Sequence, residues 1–326
     1  MMKKLLSGIL LLGSVSLNAQ QLPQISQYLR NQYMVNPAAA GVYDFTDITI
    51  GGRLQWVGLV DAPKTSYLAF SAPLDVLTGK NKTIYNPGLR NSNGVIKNPE
   101  VGTGKFKQAV GAQIVADQFG AFRKIGFSGT YAIHLPISSK YNLSFGTNLG
   151  LNNHSFLSDR AVVANVGSDN TYNDYIATNS SVNVMNISAG LYFYSDNLFV
   201  GIAADQLTSD MIKFGSGTPN FDPRMHYNFT AGYKFKIGTD FSLTPAALVK
   251  YVTPTSPIYE GSLQLEYKER FWTAVSYRHT DAFVGMLGMT LSNKIKLGYS
   301  YDYSLSHINT YSSGGHELVL GIMLGN

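Results

Sequence analysis

The sequence contains no cysteine and few charged residues. Without Cys among its 326 residues, disulfide bonds, thiolate chemistry and cysteine-based zinc sites are excluded. Asp, Glu, Lys and Arg make up 14% of the chain, whereas Phe, Trp and Tyr make up 12%. Disordered chains combine high charge with few aromatic residues, so this composition indicates a folded protein. The net charge of +5 includes no dense Lys/Arg stripe, so nucleic acid is not an expected partner.

The chain also lacks an apolar run long enough for a membrane-spanning helix. Lys3 and Lys4 precede a short apolar stretch at 5–12, and small residues follow up to Ala19. This order is typical of a secretory signal peptide, so we predict one over residues 1–19, cleaved near Ala19. No later segment reaches the roughly 18 apolar residues of a spanning helix. Any membrane insertion of the mature chain therefore has to use strands.

What the sequence does contain is alternation. Residues 141–152 read YNLSFGTNLGLN, in which every odd position except Thr147 is apolar and every even position is Asn, Ser or Gly. A strand with this pattern has one apolar and one polar face. Similar segments recur along the chain at 47–56, 65–74, 107–117, 125–135, 183–194, 198–206, 225–237, 241–251, 259–267, 271–278, 282–290, 295–302 and 316–324.

The connections between these segments have two lengths. Short turns occupy every second junction, and the others are generally longer, above all 153–181 and 207–222. Outer-membrane barrels have short periplasmic turns and longer external loops. We therefore predict an all-β, transmembrane antiparallel β-barrel of about 14 strands over residues 46–326, with both termini in the periplasm. Residues 20–45 would form an N-terminal periplasmic or plug segment. The short turns are 136–140, 195–197, 238–240, 268–270 and 292–294.

One connection on the predicted periplasmic side is long. Residues 75–106 are rich in Gly, Asn and Lys. Two interpretations stay open: a disordered insertion or missed strand pair, and a docking loop for a periplasmic partner.

A soluble β-sandwich also alternates, so the medium against the apolar face has to be argued separately. Large aromatic residues are expected on that face near strand ends, as in the girdles of membrane barrels. The segments are about 9–12 residues long, which suits a tilted span better than a sandwich strand. Glycines recur on the polar face and leave room for bulkier neighbours or a threaded segment. The predicted girdle residues are Trp56, Tyr141, Tyr233, Phe235 and Trp272.

The polar face carries charges of both signs. A one-residue slip of the strand at 225–237 would move Lys234 and Lys236 into lipid at roughly 2–4 kcal/mol each near the midplane, which fixes the register. Mixed charge indicates pairing that stiffens or plugs the lumen, because an ion-selective pore favours one sign. The predicted lumen charges are Arg53, Lys234, Lys250, Arg278, Lys296, Asp47, Asp117, Asp205, Glu260, Glu266, Asp302 and Glu317.

Motifs for catalysis are missing from the sequence. It contains six histidines but no HExxH pair and no GxSxG elbow. His316 and Glu317 are adjacent in one predicted strand, so their side chains point to opposite faces. We therefore predict that the protein is not an enzyme, and we assign no catalytic, cofactor-binding or metal-binding residues and no cofactor.

Several motifs, in order, resemble one known family. QISQYLRNQYMVNPAAAG (24–41) resembles FSQYMFNPLxxNPAYAG, the opening of the PorP/SprF family of type IX secretion outer-membrane proteins. RLQWVGLVDAPKT (53–65) resembles its RxQWxGxxGAPxT, with Asp61 where Gly is usual. The departures are the 75–106 insertion and the non-aromatic end MLGN. Further resemblances follow at 116–122, 189–207, 226–235, 265–278, 299–306 and 312–321.

The resemblance implies a location and partners rather than a reaction. It implies an accessory or anchoring protein of the outer membrane that serves type IX secretion and, in some members, gliding. Implied partners are the C-terminal domain of a secreted adhesin or other client, the periplasmic ring and motor components, and outer-membrane lipid. A channel or hydrophobic-solute transporter is the alternative. The motif positions offered as partner-binding residues are Asn36, Pro37, Gly41, Ala62, Pro63, Lys64 and Thr65.

Overall fold

The alternating segments form sixteen strands in a computed structural model that describes residues 24–79, 101–163, 172–173, 181–208, 213–214, 224–252, 256–291 and 294–324. The strands are β1 (Thr46–Leu54), β2 (Lys64–Pro73), β3 (Lys107–Phe119), β4 (Phe122–Pro136), β5 (Asn142–Phe156), β6 (Ser181–Tyr194), β7 (Leu198–Asp205), β8 (Lys213–Phe214), β9 (His226–Tyr233), β10 (Phe235–Ile237), β11 (Phe241–Val252), β12 (Ile258–Tyr267), β13 (Phe271–Arg278), β14 (Ala282–Leu291), β15 (Ile295–Ser304) and β16 (Gly315–Leu324).

The sheet closes on itself. Each strand of the wall pairs antiparallel with its neighbours, and β1 pairs with β16 from Thr46↔Leu324 to Leu54↔His316. β9 and β10 both pair with β11 and are separated only by Lys234, so they act as one wall strand. The two-residue β8 pairs with β6 alone. The wall is therefore a closed barrel of 14 strands, which confirms the predicted fold.

The two ends of the barrel differ in their connections. The five predicted short turns all lie at one end, here the short-turn end, although two residues of the last turn, 292 and 293, lie outside the described residues. The opposite end, here the long-loop end, holds the connections 55–63, 157–180, 206–225 and 305–314, together with three shorter ones. β2 pairs directly with β3, so no strand pair interrupts the wall between them. Most of the 75–106 connection, residues 80–100, lies outside the described residues.

The apolar face of the wall points outward. On β5, Phe145 and Leu149 are 47% and 54% exposed, whereas Ser144 and Asn148 are 0% and 7% exposed. A sandwich would bury the apolar side chains and leave the polar ones in water. The reverse distribution places hydrocarbon around the barrel and polar groups in its lumen. Lys234 faces the lumen, as predicted, and pairs there with Glu266.

The predicted aromatic girdle holds in part. Tyr141 stacks on Phe193 on the outer face, with ring centroids 5.4 Å apart, and Tyr233 lies 4.6 Å from Phe235. Trp272 was placed wrongly, because on β13 it is buried in the lumen and is 6% exposed. The reason is parity: Trp272 shares its face with Arg278, a lumen residue.

Residues 24–45 lie inside the barrel and are called here the inner segment. The segment consists of short 3-10 helices linked by turn and loop residues, and it leads directly into β1. None of the helices in the described residues has the length and apolar character that crossing a bilayer needs. The 3-10 helices are Tyr28–Arg30, Gln32–Met34, Pro37–Ala39, Ser158–Arg160 and His307–Thr310, and one short α-helix spans Leu74–Leu77.

Candidate functional site

The lumen and the segment that fills it are the candidate site. The inner segment starts near the long-loop end, where the backbone N–H of Ser26 donates to Glu317 Oε2 at 2.8 Å. It ends near the short-turn end, where Tyr43 forms an isolated antiparallel bridge with Val101. The two ends of the inner segment therefore lie near opposite ends of the lumen.

A buried ionic cluster holds the start of the inner segment. Arg53 Nη2 lies 2.8 Å from Asp302 Oδ2, and Arg53 Nη1 lies 3.5 Å from Glu317 Oε2. Arg278 Nη1 lies 3.3 Å from the same Asp302 oxygen. The Ser26 hydroxyl bonds to both carboxylate oxygens of Asp302 at 3.0 Å. Charges this deeply buried are tolerated only when they are paired, so the cluster ties four strands, β1, β13, β15 and β16, to the segment.

A second ionic cluster holds the next turn of the inner segment. Glu266 on β12 accepts from Arg30 at 2.5 Å and from Lys234 at 2.7 Å. The Arg30 guanidinium also lies 5.4 Å from the centre of the Trp272 ring, within cation–π range. Trp272 therefore serves the lumen rather than the membrane interface.

The middle of the inner segment packs against glycines of β5 and β6. Asn36 Oδ1 accepts from the backbone N–H of Ala38 at 2.9 Å, and Asn36 Nδ2 donates to the carbonyl of Leu191 at 2.9 Å. A Cβ added to Gly146 would overlap the backbone at Ala38, and one added to Gly190 would overlap the Asn36 side chain. The glycines on the polar face thus make room for the segment.

The short-turn end is closed by the end of the inner segment together with residues 101–107. Lys107, which is 2% exposed, donates to the carbonyl of Val42 at 2.7 Å and pairs with Asp44 at 3.3 Å. Lys105 also pairs with Asp44, at 2.8 Å. The described end of the 75–106 connection is therefore bonded to the inner segment.

The structure separates the predicted partner-binding residues into two groups. Asn36, Pro37 and Gly41 are buried in the lumen, and Gly41 has a φ of +69°, which favours glycine. Their contacts with the wall give the motif a structural role, and partner binding by these three residues stays a prediction.

The second group lies at the start of β2, at the long-loop end. Thr65 is 2% exposed and donates to Asp117 Oδ1 at 2.5 Å. The carbonyl of Pro63, itself buried, accepts from the backbone N–H of Gln55 at 3.0 Å. Ala62 is half-buried, and Lys64 is exposed. Partner binding by these residues stays a prediction, and Lys64 is the member that a partner reaches most easily.

A cavity of about 120 Å³ remains between the inner segment and the wall at the long-loop end, and we call it the outer cavity. Ile25, Met34 and Val35 of the inner segment form its apolar floor. Its walls carry Lys124, Lys250 and Asp205 together with several amide side chains. Lys124 was missing from the predicted lumen charges, although it shares its parity with Gly126 and Ser128 on the polar face of β4.

The contacts of the inner segment were also missed from sequence. Ser26, Arg30 and their partners are far apart along the chain, and Ser26 meets Glu317 across 291 positions. The opening motif at 24–41 could have indicated these contacts, because its polar and aromatic residues suit burial in a polar, glycine-rich lumen. Within the described ranges, no group of three or more acidic or histidine side chains is placed to hold a metal ion.

Solved structures that resemble this barrel include two toluene transporters and one outer-membrane protein. The toluene transporter TbuX of Ralstonia pickettii has a TM-score of 0.50 and 10% identity, over 90% of this chain and 92% of that one. The P. putida toluene transporter TodX gives 0.48 and 9%, over 89% and 92%. Omp33 of Acinetobacter baumannii gives 0.44 and 8%, over 88% and 100%. At these identities the likeness concerns the fold alone.

Sequence comparison is more specific. No curated protein sequence matches this chain. The model of one family, described as type IX secretion system membrane protein PorP/SprF, matches residues 17–322. Because that match covers nearly the whole chain, and because the closed barrel suits a protein of the outer membrane, the chain belongs to the PorP/SprF family of type IX secretion system membrane proteins.

Proposed function

We propose that this chain is an accessory or anchoring component of the type IX secretion machinery that holds a secreted client at the cell surface. The observation that carries the proposal is the filled lumen of a PorP/SprF family barrel. A barrel whose interior is occupied by its own paired charges is suited to binding rather than to free passage of solutes. In gliding bacteria, the client would be an adhesin bound through its C-terminal domain.

The external connections are the proposed client-binding surface. Short turns of outer-membrane barrels are periplasmic, so the long-loop end faces outward. There, the connections 55–63 and 305–314 are joined by the Val57 N–H donating to the Gly314 carbonyl at 2.8 Å. Val60 and Tyr311 on these connections are 92% and 74% exposed, and Val162 is fully exposed. Exposed apolar side chains beyond the bilayer are typical of protein-binding surfaces. Large parts of 153–181 and 207–222 lie outside the described residues.

The proposed contact with the periplasmic ring and motor belongs to the opposite end. Residues 24–45 are enclosed by the barrel, so the contact expected for residues 20–45 shifts to the 74–106 connection and the short turns. The bonds from Lys105 and Lys107 to Asp44 join this connection to the inner segment. A partner that binds there would lie directly beneath the closed lumen.

The alternative function is a channel or hydrophobic-solute transporter, which the fold of TbuX favours. The described lumen does not supply a continuous apolar path, since ionic clusters cross it near both Ser26 and Arg30. Purified protein in liposomes separates the two functions. Toluene uptake or steady conductance would support the channel, whereas sealed liposomes are expected from the anchoring function.

The client-binding surface is tested in the cells that naturally make this protein. The variant, with residues 157–180 replaced by a short Gly/Ser linker, takes the place of the unaltered protein. The matched control replaces residues 253–257, a shorter connection at the same end. Barrel insertion is checked by heat-modifiability on a gel. We expect the 157–180 variant to release the client into the medium and the control to retain it. Retention of the client by both variants would contradict an anchoring role of this connection.

A further inference from the structure

The outer cavity differs from the rest of the lumen in its unpaired charges. Arg53, Lys234 and Arg278 each lie within 3.0 Å of a carboxylate oxygen. Among the described residues, neither Lys124 nor Lys250 forms an ion pair, although both line the cavity. Asp205 is the one acidic residue in the lining, so the lining carries one positive charge in excess. An anionic group placed there would complete the pairing seen elsewhere in the lumen.

Two neighbouring acidic groups are already engaged with neutral partners. Asp205 Oδ2 accepts from Asn228 Nδ2 at 2.9 Å. Asp117 lies opposite Lys124 in the β3–β4 register but accepts from Thr65 at 2.5 Å and forms no ion pair with the lysine among the described residues. The ammonium group of Lys124 is therefore available to a ligand.

The cavity also presents hydrogen-bond acceptors that lack donors. Asn148 and Gln206 are 7% and 8% exposed, and both line the cavity. Asn148 Oδ1 and Gln206 Oε1 have no hydrogen-bond partner among the residues that the structure describes. Buried acceptors without donors are costly, so a ligand that fits here has to bring N–H or O–H groups as well as a negative charge. Chloride, sulfate or a hydrocarbon does not supply both.

The size of the cavity restricts the ligand further. A volume of about 120 Å³ holds a few waters or about one amino-acid residue, since one water occupies roughly 30 Å³ in the liquid. A folded domain is far too large. The floor of Ile25, Met34 and Val35 suits an apolar side chain.

We propose that the outer cavity binds the C-terminal end of the secreted client, with the terminal carboxylate between Lys124 and Lys250. This inference rests on the proposed function, and it names the part of the client that is recognised. The backbone N–H of the last residue donates to Asn148 Oδ1 or Gln206 Oε1, and its side chain lies on the apolar floor. Capture of a chain terminus by charge and backbone bonds is an established mode of peptide recognition.

The test uses the full-length protein in mild detergent and measures binding of fluorescein-labelled Gly-Gly-Gly-X peptides, where X is Leu, Ile, Val, Met or Phe. Each peptide is made with a free C-terminal carboxylate and as a C-terminal amide. We expect the acid forms to bind and the amides to bind at least about tenfold more weakly. Lys124→Met/Lys250→Met should weaken the acid forms by a similar factor. The control Lys236→Met, a lysine at the short-turn end, should leave binding unchanged.

The acid–amide comparison on the unaltered protein requires no variant, so a folding defect does not affect it. Equal binding of acid and amide, or absence of binding to any peptide, would overturn the inference. Purification of the barrel with its client from native cells tests the proposed function separately. Equal recovery of the client with the unaltered and doubly substituted barrels would overturn the inference and leave anchoring intact. Absence of the client even from the unaltered barrel would instead refute anchoring.

Discussion

The barrel wall holds the inner segment through two kinds of contact. Its first turns, at Ser26 and Arg30, contact β1, β12, β13, β15 and β16 through buried carboxylates and guanidinium groups. Its middle, at Asn36–Ala38, contacts β5–β7 through backbone bonds and glycines that permit close approach. The first contact depends on charge and the second on shape, so the two should respond differently to substitution.

The largest loss of stability is expected from Arg278→Met. The substitution leaves the buried carboxylates of Glu260 and Asp302 short of a cation, and breaking a buried pair typically costs about 3–5 kcal/mol. Urea unfolding of the barrel in detergent, followed by tryptophan fluorescence, measures the change. The control is Lys268→Met, which removes an exposed pair with Asp240 at 3.7 Å. An Arg278 variant as stable as this control would show that the ionic cluster does not stabilise the barrel.

The next largest effect is expected from Gly190→Val on the close-packed wall. The new side chain would overlap Asn36, and overpacking of this kind costs about 1–3 kcal/mol. The control is Gly285→Val, since nothing lies within 4 Å of a Cβ added at Gly285. A Gly190→Val/Asn36→Ala double variant should lose less than the sum of the two single losses. Additive losses would mean that the valine acts somewhere other than on Asn36.

Asn36→Ala alone should have a smaller effect than Gly190→Val. It removes the acceptor for Ala38 and the donor to the carbonyls of Leu191 and Ile202, which together amount to about 1–2 kcal/mol. The same unfolding measurement applies. Asn183→Ala, at an exposed position of β6, is the control and should stay within about 0.5 kcal/mol of the unaltered protein. If both variants unfold alike, Asn36 does not fasten the segment to this wall.

The smallest effect on stability is expected from Lys64→Ala. Lys64 is exposed and lies outside both contacts, so its removal should change the free energy of unfolding by less than about 0.5 kcal/mol. If the motif at 62–65 binds a partner, recovery of that partner with the purified barrel should still fall. Unchanged recovery would restrict the motif to a structural role.

The barrel was predictable because the alternation of apolar and polar residues within each strand shows which face points to lipid and which to the lumen. Alternation located all fourteen wall strands, and parity placed Arg53 and Arg278 in the lumen. The parity rule also assigns Trp272 to the lumen, because Trp272 shares a face of β13 with Arg278. Its aromatic ring had instead suggested a place in the outer girdle. Parity also places Lys124 in the lumen, although Lys124 was not among the predicted lumen charges.

The path of the inner segment was not predictable at this level. Its short 3-10 helices carry no period, and its partners are distributed over the whole wall. Bonds such as Ser26 to Asp302, 276 positions apart, follow from the closed barrel and not from any local pattern. The outer cavity arises from the fit between segment and wall, so it too becomes visible only in three dimensions.

The enclosure of the inner segment has a consequence for biogenesis. Residues near Ser26 are among the first of the described chain to be synthesised, yet they bond to Asp302 and Glu317 on the last two strands. These bonds, and the pairing of β1 with β16 that closes the barrel, can form only after the last two strands have been synthesised. Burial of the inner segment is thus a late step of folding, and a chain that lacks its opening residues would leave Asp302 and Glu317 paired with wall arginines but without the bonds from Ser26.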